Sequence, residues 1–188
     1  YLRQNTVLMV IIMMIAVSSL FGMSYNVLMP VFAKDVLKVG ARGLGFLMAG
    51  NGCGALLGAF TVASQGMMRP GETFLWGSLC YSAFLIAFSF SHVTWLSIIL
   101  LVGVGGGMIA QNVTANTLVQ TMVPNELRGR MMSMYSLVFM GLMPVGNLIA
   151  GAIAQKMGAP FAVGLGGAIA LSAALFVRWR FAEVRKIS

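Results

Sequence analysis

The sequence predicts an all-α polytopic membrane protein of six transmembrane helices, and three observations predict it. The first is composition: of 188 residues, 59% are hydrophobic and only 9% are charged. A soluble domain carries roughly 25% charged residues, so a water-exposed surface cannot be built from this chain. The second is hydropathy, which averages +0.92. A span needs about 20 apolar residues, and runs of that order recur six times between polar breaks. The third is where the charges fall. All of them lie in breaks or at ends, as expected if a charge at mid-bilayer costs at least about 2.5 kcal/mol.

The first span covers about 6–32 and ends at Lys34-Asp35, with Lys38 and Arg42 in the loop beyond. Arg3 followed by Val7 to Val17 imitates a signal peptide, but the apolar run continues past Ser18-Ser19 to Phe32, too long for an h-region. Because Tyr1 is not Met and leads directly into a helix, the chain is expected to be cut from something longer. The second span, about 43–64, breaks at Met68-Arg69-Pro70-Gly71-Glu72. A third, about 73–90, meets the short turn Ser91-His92-Val93. The fourth, about 94–122, is long enough to tilt or to project beyond the lipid. A loop from Pro124 to Arg130 leads to the fifth span, about 131–154, and a turn at Gln155 to Gly158 leads to the sixth, about 160–177. A basic tail closes the chain with Arg178, Arg180, Arg185 and Lys186.

The net charge of +8 follows from this plan. The basic residues stand singly between apolar blocks, with no basic face interleaved with aromatics, so nucleic acid is not an expected partner. With both termini on one side, that side carries Arg3, Arg69, Arg128, Arg130, Arg178, Arg180, Arg185 and Lys186; the other carries Lys34, Lys38, Arg42 and Lys156. The excess of basic residues places both termini in the cytoplasm.

Small and polar residues inside the spans carry the remaining signal. Gly50, Gly54 and Gly58 form one stripe on the second helix, and Gly103 and Gly107 repeat the spacing on the fourth. Such stripes let helix backbones approach closely, and the same stripes suit sliding or rocking of helices. The fifth-span run Asn147-Leu-Ile-Ala-Gly151-Ala152 matches Gly54-Ala-Leu-Leu-Gly58-Ala59 of the second. The match suggests two three-helix repeats of inverted sense, a known transporter plan. Asn26, Asn51, Gln111, Asn112, Asn116, Gln120 and Asn147 are uncharged polar residues within spans. Asn112, Asn116 and Gln120 are spaced by four and share a helical face. An amide facing lipid would stay unsatisfied, so that face points at another helix or at a water-filled path. Interhelical bonding and a lining for a substrate route are both open. Pro30 and Pro144 each remove a backbone bond, and Pro144, between Gly141 and Gly146, is expected to bend the fifth helix. Bent helices occur in transporter pathways and as plain packing kinks.

Other chemistries fail on inventory. No catalytic residue, metal site or cofactor is expected. The single histidine, His92, sits in an interfacial turn, so no His base faces a serine within the spans. There is no HExxH and no P-loop, and Gly103 to Gly107 is not a dinucleotide fingerprint, since it follows no strand. Asn112-Val113-Thr114 matches a glycosylation sequon only by chance, inside a span. Cys53 and Cys80 lie in apolar segments and act as small hydrophobes. No acid lies within a span, so any coupling carboxylate lies outside this chain's spans.

At the fourth-to-fifth connection the sequence reads Asn116-Thr-Leu-Val-Gln120, then Val123-Pro-Asn-Glu-Leu-Arg-Gly-Arg130, Met132-Ser-Met-Tyr-Ser-Leu137 and Gly141-Leu-Met-Pro-Val-Gly146. Earlier stands Pro30-Val-Phe-Ala-Lys-Asp-Val-Leu37, followed by Gly43-Leu-Gly45. These segments resemble the C-terminal six-helix half of major facilitator superfamily transporters, in the bacterial branch that includes the enterobactin exporter and macrolide efflux proteins. The resemblance spans essentially the whole chain, 1–188. It implies a twelve-helix protein whose halves rock around a central cavity, exporting small amphipathic molecules across the bacterial inner membrane by proton antiport. It also implies a missing N-terminal half as partner, beside the lipid bilayer and a small-molecule substrate. On that pattern Arg128 and Arg130 lie in a cytoplasmic loop, able to pair with Glu126 or neighbouring helix ends as a gate, with Arg69 and Glu72 as a second gate candidate. The alternatives are positive-inside topology alone for these charges and, for the chain, a six-helix membrane scaffold without transport.

Overall fold

The computed structural model describes residues 5–64, 69–181 and 184. Among them are six helices long and apolar enough to cross a membrane: α1 (Thr6–Val36), α2 (Gly40–Ser64), α3 (Pro70–Ser89), α4 (Thr94–Met122), α5 (Asn125–Met157) and α6 (Ala159–Arg180). Met68 of the second break, and Arg3, Arg185 and Lys186 of the basic side, lie outside the described residues.

The helices outrun their apolar blocks, because charged terminal turns remain helical where they reach the polar boundary. The sharpest case is Asn125 to Arg130, expected as a loop and found as the first turns of α5. Pro124 (φ −53°, ψ 148°) holds an extended backbone just before the helix, and Glu126 in the first turn complements the helix dipole. Likewise Lys34 and Asp35, expected in a break, lie in the last turn of α1. Pro70 is the first residue of α3 and Pro160 the second of α6, where a missing N–H costs nothing. Gly158 alone joins α5 to α6, at φ +90°, a conformation that L side chains rarely adopt.

Two of the six helices are irregular. α1 passes from α-helix (Thr6–Val17) through a π-helical turn (Ser18–Gly22) to a second α segment (Tyr25–Val31) and a second π turn (Phe32–Val36). The break in α1 therefore falls at Met23-Ser24, seven residues before Pro30. α5 is interrupted at Leu142, between Asn125–Gly141 and Met143–Met157, where Pro144 has no N–H to give the preceding turn.

Packing follows a pattern. α4 lies against α2 and α3, α1 lies against α5 and α6, and α1–α4 and α3–α6 also touch. Exchanging α1 with α4, α2 with α5 and α3 with α6 returns the same set of pairs. The exception is that α5 and α6 pack closely together whereas α2 and α3 splay apart. Lipid supplies no hydrophobic drive between helices, so close backbone approach must hold the bundle. A Cβ on Gly54 would lie 2.0 Å from the Val102 carbonyl oxygen, and one on Gly58 2.4 Å from that of Gly106. On α4, Gly105 and Gly106 meet α2, while Gly103 and Gly107 turn to Phe84 and Tyr81 of α3. The glycines of α4 therefore serve two faces.

Two apolar clusters stack along the bundle. One gathers Leu8, Ile11, Ile15, Phe74, Leu118 and Val119. The other gathers Tyr25, Phe32, Leu47, Phe88, Leu101 and Val104, with Phe32 and Phe88 stacked at 4.6 Å. Ser18, Ser19, Ser78, Ser82, Gln111 and Thr114 are buried polar residues outside both clusters.

Candidate substrate path

The polar residues of α4 divide by face. Gln111 is fully buried and its Nε2 donates to Ser18 Oγ at 2.8 Å, joining α4 to the π turn of α1. Asn112, one position on, looks elsewhere: with Asn116, Tyr135, Ser136, Phe139 and Met140 it lines a groove of about 380 Å³ between α4 and α5. Its Nδ2 donates to the Met108 carbonyl at 2.9 Å, but its Oδ1 is buried and accepts nothing from the protein. Tyr135 completes the wall, donating through its hydroxyl to the Asn112 carbonyl at 3.4 Å and stacking on Phe139 at 6.2 Å.

Below the groove, Gln120 Nε2 donates to Asn116 Oδ1, and Arg128 Nε donates to the Gln120 carbonyl at 3.0 Å. The fourth helix therefore presents a continuous polar file from Asn112 to its end, closed by an arginine from α5. Above it, the Tyr25 hydroxyl donates to Asn51 Oδ1 at 3.1 Å and stands 4.0 Å from Met108 Sδ, so α1, α2 and α4 meet there. Met108, Asn112, Asn116 and Gln120 recur every four residues, which places the Tyr25–Asn51 pair and the groove on one line.

The remaining predicted residues stand apart. Asn26 is half-buried and donates to the Met23 carbonyl at 3.3 Å, within its own helix. Asn147 Oδ1 is buried without a protein partner on α5. Arg69 and Glu72 form the one ion pair among the described residues, at 3.5 Å, with the Arg69 side chain 74% exposed. Glu126 and Arg130 are exposed, and Arg128 pairs with a helix-end carbonyl rather than with Glu126. Sequence reasoning did not single out Tyr135, Phe139 or Ser18 for the site. The signal for the first two was an i, i+4 aromatic pair on α5; for Ser18 it was a hydroxyl within an otherwise apolar run.

The groove sets amide and hydroxyl groups beside Phe139 and Met140, between two of the six apolar helices. The family model of transmembrane secretion effectors, of the major facilitator type, matches residues 1–187. The chain belongs to that family. Comparison with curated proteins gave no match. For a member of this transporter family, the irregular turns of α1 and α5 gain weight, since irregular backbone at membrane depth is tolerated where it is buried in protein or lines a cavity. α5 borders the polar file through Tyr135, and α1 meets α4 one turn above it, where Tyr25 stands beside Met108.

Proposed function

We propose that the chain is the C-terminal half of a bacterial inner-membrane exporter, which moves small amphipathic molecules by alternating access. The observation that carries this reading is Asn112, which lines the α4–α5 groove and holds a buried Oδ1 without a protein partner. A buried acceptor without a bond is costly, and turning the Asn112 amide toward the groove would let a substrate N–H or O–H satisfy it while the substrate's apolar body lies on Phe139 and Met140. The inverted pattern of helix pairs agrees with two three-helix repeats in this half.

In this proposal an N-terminal six-helix half covers the side of α5, where Leu137, Met140 and Leu148 are each at least 70% exposed. Both termini face the cytoplasm, as the basic residues at that end suggest. The driving ion is a proton, bound by a carboxylate outside this chain's spans. Arg128 on the Gln120 carbonyl, and the Arg69–Glu72 pair, act as contacts that hold one gate state.

The test is efflux from cells carrying the whole transporter with Asn112→Leu or Asn116→Leu. Loss of one neutral hydrogen bond to substrate lowers efflux about two- to ten-fold, with the membrane level of the protein unchanged. Unaltered efflux in both variants would remove this face from the substrate path.

A further inference from the structure

A second and larger groove, of about 790 Å³, opens where α2 and α3 splay apart over α4. It shares no residue with the groove at Asn112. Its floor is the packed seam of α4 with its neighbours at Gly54, Gly58, Gly106 and Gly107, and its walls include Leu57 and Val102. Apart from threonine hydroxyls, the polar side chains lie at one end, where Arg69, Glu72 and Trp76 form a mouth. There the Arg178 guanidinium of α6 lies 4.7 Å over the Trp76 ring. Arg69 meets Glu72 through one contact of 3.5 Å and keeps its guanidinium largely in solvent. Arg178 stands outside the groove's lining, on the ring of Trp76, and with it the residues around the mouth carry two guanidinium groups against one carboxylate. Trp179, 81% exposed beside Arg178, marks this depth as the lipid–water boundary.

We propose that this groove binds an anionic phospholipid, its acyl chain lying on the glycine floor and its phosphate held by Arg69 and Arg178. A long apolar slot ending in cations matches a chain ending in a phosphate, and the planar guanidinium pairs with phosphate through two parallel bonds. Basic pockets between transmembrane helices bind anionic headgroups in the same manner. A zwitterionic lipid offers the same phosphate but adds a cation that the two arginines repel. The site does not depend on which substrate the protein carries.

The experiment uses the full chain in nanodiscs with Trp76 as the only tryptophan, after Trp95→Phe and Trp179→Phe at two exposed positions. Quenching of Trp76 by brominated phosphatidylglycerol is compared with quenching by brominated phosphatidylcholine. A net single charge predicts a preference of about five-fold for the anionic lipid, equivalent to about 1 kcal/mol. Arg69→Gln with Arg178→Gln abolishes the preference, with helicity checked by circular dichroism. Cys80→Phe, at an exposed wall position that leaves the charges in place, weakens quenching of Trp76 by both lipids. Equal quenching by the two lipids in the protein that keeps both arginines overturns the proposal, as does a preference that survives loss of both.

Discussion

Gln111 Nε2 and Ser18 Oγ, 93 positions apart in sequence, share a hydrogen bond of 2.8 Å at the centre of the bundle. The bond ties α4 to the π turn of α1, the two helices that exchange under the inverted pattern of pairs. Interhelical bonds of this kind in membranes average about 0.6 kcal/mol and reach about 1.7. A double-mutant cycle of Ser18→Ala and Gln111→Ala, read by unfolding in mixed micelles, is predicted to give a coupling in that range. Additive effects would show that the two residues do not act as a pair.

The α2–α4 contact gives a sharper contrast. A Cβ on Gly54 would strike the Val102 carbonyl, which is backbone and cannot rotate away, whereas one on Gly52 meets nothing within 4 Å. Gly54→Ala is therefore predicted to destabilise by about 1–3 kcal/mol, the usual cost of overpacking. Gly52→Ala is predicted to be neutral or slightly stabilising, since alanine is the better helix former. Thermal melts of the two purified variants decide it.

Ser19 supports the break in α5. Its hydroxyl donates to the Phe139 carbonyl at 2.6 Å, just ahead of the interruption at Leu142. Residue 143 would bond that carbonyl in an unbroken helix. Ser19→Ala is predicted to raise deuterium uptake across 138–146 and leave α2 and α3 unchanged. Uniform uptake in both proteins would show that the hydroxyl does not hold the break.

A further pair of substitutions bears on what the sequence reveals. The run 147–152 matches 54–59 and placed Gly151 opposite Gly58. Yet a Cβ at Gly151 meets nothing within 4 Å, while one at Gly146 would lie 2.1 Å from the Leu20 carbonyl. Gly146→Ala is predicted to destabilise as Gly54→Ala does, and Gly151→Ala to be silent, in the same melts.

The six apolar helices were legible because hydropathy and charge placement are properties of composition along the chain. The stripe at Gly50, Gly54 and Gly58 was legible because spacing by four fixes a face. The division of labour on α4 was not, since Gly105 and Gly106 serve α2 while Gly103 and Gly107 serve α3, and only the neighbours' positions separate them. Gln111 and Asn112 were equally plausible lining residues as sequence, and a rotation of one residue buries the first against Ser18 and leaves the second at a groove. The helical start at Asn125 was hidden because a Pro-Asn-Glu run with two arginines reads as a polar loop, although Pro124 sets the backbone to enter a helix.

The most direct test of the transport reading is site-directed cysteine labelling at Asn26, next to Tyr25 on α1, and at Asn116, in the α4–α5 groove. Asn26→Cys and Asn116→Cys are placed singly in the whole transporter with Cys53→Ser and Cys80→Ser, and labelled in cells with and without a transported compound. Alternating access predicts that substrate shifts the two rates in opposite directions, one mouth closing as the other opens. Rates that stay constant at both positions, in a protein that is correctly inserted, would contradict it and favour a six-helix scaffold.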